Sequence, residues 1–259
     1  MASEEFYVKL VLENPFYIKN IENPSLEMQL AAVRKNGAAI QYIKNPDYKV
    51  QLEAVKSNAL SIEYIEKPSE EVSLIAVSSS WNTLKYLKEP KEHVIKAALA
   101  SKGWAIQYVK NPSEELQVLA VSKDYDAVKY IKEPSEKVQI AAINKYWAAI
   151  KHIEEPCLSA QIAAVAQNEE AITYIEAHDE NKLKLFMKAN INILKYIYED
   201  LDVSMVDEVL IEKFKEEDIE EKYVVDFISL EILDMDKIDF VYNYGSKKAK
   251  QILIDYKLS

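Results

Sequence analysis

From Pro24 onward, small and large apolar residues return at a fixed interval of 22 residues. Each interval is counted from its proline: Pro24, Pro46, Pro68, Pro90, Pro112, Pro134 and Pro156. Position 9 is then alanine seven times, at Ala32, Ala54, Ala76, Ala98, Ala120, Ala142 and Ala164. Position 10 is always branched and aliphatic (Val33, Val55, Val77, Leu99, Val121, Ile143, Val165), and positions 17 and 20 are always Ile, Leu or Val. Position 19 is Tyr42, Tyr64, Tyr86, Tyr108 and Tyr130, then His152, then Tyr174. A gapless period of this length is the signature of a repeat architecture whose units bury their apolar faces on one another.

Each interval predicts two helices. Proline suits a first helical position, where its missing N–H costs nothing, and it pushes the residue before it out of helical geometry. Glu70, Glu92, Glu114 and Glu136 follow two residues later, where a carboxylate faces the positive helix end. The first helix is expected over positions 1 to 12. Asn36, Asn58 and Asn168 at position 13, or Gly37 and Gly103 after it, are residues that tolerate a left-handed turn. A second helix of about eight residues should follow, held by packing because so short a helix is marginal alone. On its wheel, positions 16, 17, 19 and 20 form the apolar face, which turns the tyrosines inward. In the first helix, positions 5, 8 and 9 oppose 7 and 10, so two sides are buried and the alanine marks the closest approach of neighbours. The fold class expected is all-α, a right-handed α-solenoid of ~22-residue two-helix repeats with a helical C-terminal cap.

Three stretches divide the chain. Residues 1–23 align in the same register from Ser3, with Pro15 at position 14, as an imperfect first repeat. Residues 24–199 are the tandem array; its last unit keeps Leu194, Tyr196 and Ile197 in register but has His178 for the proline. Residues 200–259 lose the pattern yet still read as helices, an acidic cap over the last open face.

The run AAVRKNGAAIQYIKNP at residues 31–46 resembles the AVxxNGxAxxY-type helical repeats of poorly characterised bacterial, phage and large-virus proteins. The resemblance covers residues 3–199. It implies a helical array that binds protein, and its phage members point to an inhibitor or modulator of a host or defence protein.

Composition narrows the chemistry. No apolar run approaches the ~20 residues of a membrane span, and MASEEFYVKL lacks the basic-then-apolar pattern of a secretory signal. A lone Cys157 fits a reducing compartment. These features predict a cytoplasmic protein, in the host cytoplasm if viral, with no membrane partner. The three glycines, Gly37, Gly103 and Gly245, build no phosphate loop. His93, His152 and His178 fall at different repeat positions without metal spacing. His152 stands in the tyrosine slot and reads as a packed substitute; Cys157 takes a position where other repeats have serine. No catalytic residues, metal or cofactor are expected, and the chain reads as a non-enzyme.

Three surfaces remain as binding candidates. Trp81, Trp104, Tyr125, Tyr146 and Trp147 interrupt the repeat at positions 13 to 15 and are expected along one edge, either padding the turn or forming a ridge for a protein partner. Lys85, Lys88, Lys110, Lys129, Lys132 and Lys151 at positions 18 and 21 suggest a basic ladder, but Glu89 and Glu133 follow directly. A solvated face is favoured there over direct nucleic-acid binding. The net charge of −11 is concentrated in residues 199–239, with 16 acidic and 4 basic residues, so the rest of the chain sums to +1. Glu216, Glu217, Asp218, Glu220 and Glu221 in that section give the alternative reading, an imitation of a phosphate backbone that blocks a DNA- or RNA-binding protein. Self-association through an exposed face is a further option.

Overall fold

The structure, a computed structural model, describes residues 3–176 and 179–258, and every regular element among them is helical. His178 lies outside the described residues. Two compact units form, Met1–Ile131 and Lys132–Ser259.

The first unit holds six α-helices of ten residues: α1 (Glu4–Glu13), α2 (Leu26–Lys35), α3 (Tyr48–Ser57), α4 (Glu70–Ser79), α5 (Glu92–Ser101) and α6 (Glu114–Lys123). Each is followed by a six-residue 3-10 helix, beginning at Pro15, Gly37, Ala59, Trp81, Gly103 and Tyr125. The two legs match in span despite their lengths. Ten α-helical residues rise about 15 Å, and six 3-10 residues at the longer rise per residue reach about 12 Å.

The elements differ from the sequence expectation in three ways. Proline does not open the α-helix; it precedes the N-cap, and the cap is position 2. Ser25, Asp47, Ser69 and Ser113 accept from the N–H three residues on (Met28, Val50, Val72, Leu116), so the helix runs over positions 3 to 12. Position 13 is not left-handed. Asn36, Asn58 and Asn168 are extended, with φ near −152°, and their side chains cap the 3-10 leg by accepting from Ala38, Leu60 and Glu170. Left-handed backbone occurs instead just before proline, at Asn45, Asn111 and Glu133.

The third difference concerns the second leg. With three residues per turn, positions 14, 17 and 20 share one column and 16 and 19 another. Positions 16 and 17 are buried (Ala39 and Ile40, Ser61 and Ile62, Thr83 and Leu84). Position 19 falls at the rim, where Tyr42, Tyr64 and Tyr130 are 37–44% exposed. The inward tyrosines expected from an α-helical wheel are therefore surface groups.

The position-9 alanines and position-10 aliphatics are fully buried throughout. Glycine at position 14 answers to one of these alanines. A Cβ on Gly37 would stand 2.2 Å from the Ala54 carbonyl oxygen, and one on Gly103 2.2 Å from that of Ala120. The 3-10 legs that begin with glycine pack most closely on the next α-helix, the leg at Ala59 less so, and the leg at Trp81 least.

The second unit continues with α7 (Glu136–Lys145), α8 (Leu158–Gln167) and α9 (Glu180–Ala189), the first two followed by 3-10 legs Trp147–His152 and Glu169–Tyr174. After α9 the second leg starts as 3-10 and turns into a short α10 (Leu194–Ile197). Then come α11 (Val203–Phe214), α12 (Glu221–Ser229), α13 (Lys237–Tyr244) and α14 (Lys247–Leu258). Phe214 is the hub of their core, with ring centroids 4.7 Å from Phe227 and 5.6 Å from Phe240. Two ion pairs of 2.6 Å, Lys184–Glu208 and Lys188–Glu212, join α9 to α11. The Tyr223 hydroxyl donates to the Met187 carbonyl at 3.0 Å, and burial pushes its pKa up.

A polar contact that the pattern of apolar residues does not reveal recurs at position 6. Gln29, Gln51, Gln117, Gln139 and Gln161 each donate from Nε2 to the carbonyl of their own repeat's proline, at 2.7–2.9 Å. Gln139 also accepts the Cys157 backbone N–H at 2.8 Å, joining one repeat to the next. At the fourth helix, position 6 is Ser73, too short for this bridge, and a cavity of about 440 Å³ opens beside it between Pro68, Leu87, Pro90 and Val94.

Replacing Gln139 with Ala removes the partner of a part-buried carbonyl and N–H and should cost about 1 kcal/mol. Ser73→Gln should restore the bridge and raise stability by about 1 kcal/mol. Urea unfolding followed by circular dichroism reads both; a Gln139→Ala midpoint equal to the parent's would refute the role given to this side chain.

Candidate functional site

The 3-10 legs form an aromatic edge. Four aromatic residues at position 14 or 15 pack on the position-19 tyrosine of the next repeat. In the first unit Phe16 meets Tyr42 edge-on at 6.0 Å, Trp81 stacks on Tyr108 at 6.1 Å, and Trp104 meets Tyr130 at 6.3 Å. In the second unit Trp147 lies against Tyr174 at 6.5 Å, with Tyr146 beside it at 5.8 Å. The tyrosine belongs to the rim of one leg and the tryptophan to the start of the leg before it, so the rings alternate along the edge.

The five aromatic residues singled out from the sequence are not equivalent. Trp81, Trp104 and Tyr125 are half-buried, Tyr146 is exposed, and Trp147 is buried at 8% exposure. Trp104 is also fixed by polar contacts: its indole N–H donates to Asp126 Oδ1 at 2.7 Å. The surface at this edge is supplied chiefly by Tyr42, Tyr64, Tyr130 and, in the second unit, Tyr174. Sequence reasoning missed these tyrosines as surface groups. The signal available was the uniformly polar positions 18 and 21, which stand three residues apart on either side of the tyrosine.

Lysines of the presumed ladder are spent locally. Lys129 lies over the Trp104 ring at 4.4 Å and the Tyr130 ring at 5.1 Å, and pairs with Asp126 at 3.0 Å. Lys151 lies over Tyr174 at 4.1 Å and reaches Glu170 at 3.3 Å. Lys85 sits 4.6 Å from the Tyr86 ring centre. Contact with Tyr86, Asp126 and Tyr174 respectively holds the three ammonium groups above the ordinary lysine range. Lys88, Lys110 and Lys132 point to solvent, and Lys132 has Glu133 at 3.6 Å. The aromatic faces and carboxylates thus compete with any phosphate for the position-18 lysines.

The acidic section is folded rather than diffuse. Glu208 and Glu212 are paired with α9, and Glu216 lies 2.5 Å from Lys213. Glu217, Asp218, Glu220 and Glu221 are exposed around Ile219, which is 1% exposed and anchors the turn between α11 and α12. His93 contacts Glu70 at 2.9 Å on the surface, and His152 is exposed in the tyrosine slot. Cys157 occupies the N-cap position of α8. Among the described residues no group of three or more His, Cys, Asp or Glu could hold a metal ion, and no helix is long and apolar enough to cross a membrane.

Single-tryptophan proteins, made by changing the other two to Phe, separate these environments. Acrylamide should quench Trp81 and Trp104 at least about twofold more readily than Trp147, since one is enclosed and two are half-open. Equal quenching of all three would contradict the burial described. No protein-family model, curated protein or solved structure matches the chain.

Proposed function

We propose that this protein is a non-catalytic, protein-binding scaffold: a right-handed α-solenoid of 22-residue repeats, ended by a helical cap, that holds a partner along its aromatic edge. The observation that carries this reading is the row of rim tyrosines with tryptophans between them. Tyrosine and tryptophan supply large contact area with little rotamer entropy to lose, and they are enriched among residues that dominate interfaces. Rings already braced by lysines and by the next repeat are pre-organised, which lowers the ordering cost of association. An array that varies at this edge while its alanines stay fixed changes specificity without disturbing its packing. The resemblance to phage repeat proteins supports a role as an inhibitor or modulator of a host or defence protein, acting in the cytoplasm.

The exposed carboxylates around Ile219 support a second reading, an acidic nucleic-acid mimic. A rigid turn presenting Glu217, Asp218, Glu220 and Glu221 offers spaced negative charge to a basic groove.

Affinity capture from a lysate of the source cell or its host, with mass spectrometry of retained proteins, distinguishes the two. One bait carries Tyr42→Ala, Tyr64→Ala and Trp81→Ala; another carries Glu217→Lys, Asp218→Lys, Glu220→Lys and Glu221→Lys. The expected outcome is a protein held by the parent and by the lysine bait, kept at about 0.5 M salt, where screening is nearly complete, and lost from the alanine bait. Loss from the lysine bait alone, together with release by salt, would replace the first reading with the second.

A further inference from the structure

The first unit has an apolar groove on the opposite leg of the repeat. It lies between α1 and α2, has a volume of about 750 Å³, and is lined by Val8, Leu12, Leu26 and Leu30. Leu12 is 48% and Leu26 43% exposed, and Phe6 on α1 is 50% exposed. The strip is local. At position 3, Leu26 is followed by Tyr48 and then by Glu70, Glu92 and Glu114, so the surface turns polar along the unit.

The ends of the groove carry opposite charge. Glu4 and Glu5 lie in the first turn of α1 and Glu27 in that of α2, while Arg34 and Lys35 close the last turn of α2 and outnumber Glu13 at the end of α1. A 3-10 leg returns the chain between them, so α1 and α2 run in the same direction and the acidic residues gather at one end. Glu27, Arg34 and Lys35 themselves line the groove. Arg34 bonds Glu53 through Nε at 2.8 Å, and a guanidinium keeps further N–H donors for a second carboxylate.

We propose that this groove is a homodimer interface, in which the α1–α2 face of one copy meets the same face of a second copy with the helices antiparallel. A two-fold interface requires a patch complementary to itself. An axis perpendicular to these helices supplies that complementarity twice, placing the acidic end of each copy on the basic end of the other. The leucines of the two copies then cover one another in the middle. A parallel arrangement would set like charges together at both ends. The charge pattern therefore selects a second copy and its direction, and the aromatic edge stays open for a different partner.

Sedimentation equilibrium of the full chain tests this directly. The parent should be dimeric at tens of micromolar, a range typical of modest interfaces. Leu12→Asp or Leu30→Asp should weaken the dimer at least about tenfold, with helical circular dichroism unchanged for the exposed Leu12 site. Two further proteins provide the decisive arm: one all-acidic (Arg34→Glu, Lys35→Glu) and one all-basic (Glu4→Lys, Glu5→Lys, Glu27→Lys). Each should be monomeric alone, and their mixture should recover dimer. A monomeric parent would overturn the proposal, as would a dimer indifferent to Leu12→Asp. Failure of the mixed charge variants to associate would do the same. A monomeric parent that binds an added amphipathic helical peptide through Leu12 would assign the groove to a foreign helix instead.

Discussion

Close approach at the position-9 alanine is the constraint on which the repeat depends. Its carbonyl accepts the position-13 N–H of its own repeat, as in Asn58 to Ala54 at 2.9 Å and Asp124 to Ala120 at 3.0 Å, ending the α-helix there. In the glycine-containing repeats the same oxygen lies against the backbone of the preceding 3-10 leg. One small residue therefore closes a helix and sets the distance to its neighbour. Position 9 is also fully buried in every repeat, so a larger side chain there would overpack the core, which cores tolerate poorly.

The aromatic edge follows from how that distance is adjusted. The legs that begin with glycine pack most closely on the next α-helix, while the leg that begins at Trp81 packs less closely and its indole stacks on Tyr108. Padding and exposure are thus two aspects of one arrangement. A tryptophan inserted as a spacer leaves part of its ring and the rim of its tyrosine partner in solvent. Burial of Trp147 marks the limit of this, where the spacer is enclosed and the surface passes to Tyr146 and Tyr174.

Much of the repeat was legible because burial writes itself into apolar spacing. The 22-residue period, the invariant alanine and the division into a longer and a shorter leg can all be read from Ala32 to Ala164. The type of the second leg could not be read from spacing, since positions 16, 17, 19 and 20 form one contiguous face at 3.6 residues per turn and fall in two adjacent columns at three. The apolar face includes position 19, but that position is the last residue of the leg, where Tyr42, Tyr64 and Tyr130 reach the rim. Polar staples were illegible for another reason. Gln29 or Gln139 looks like any solvated glutamine until the proline carbonyl it satisfies is seen. The N-cap serines were likewise hidden by assigning proline to the helix start.

The polar and apolar lattices also constrain each other. Proline before the cap removes one N–H, and the part-buried carbonyl it leaves gains from a donor. Glutamine at position 6, one turn into the helix, is long enough to turn back to it, and in α7 it also takes the N–H that opens the next repeat. Ser73 satisfies itself on the Ser69 carbonyl instead, and the room it leaves is the cavity beside Pro68 and Pro90. Position 6 of the following repeat is Ile95, which is buried, so two adjacent repeats replace the glutamine bridge in different ways.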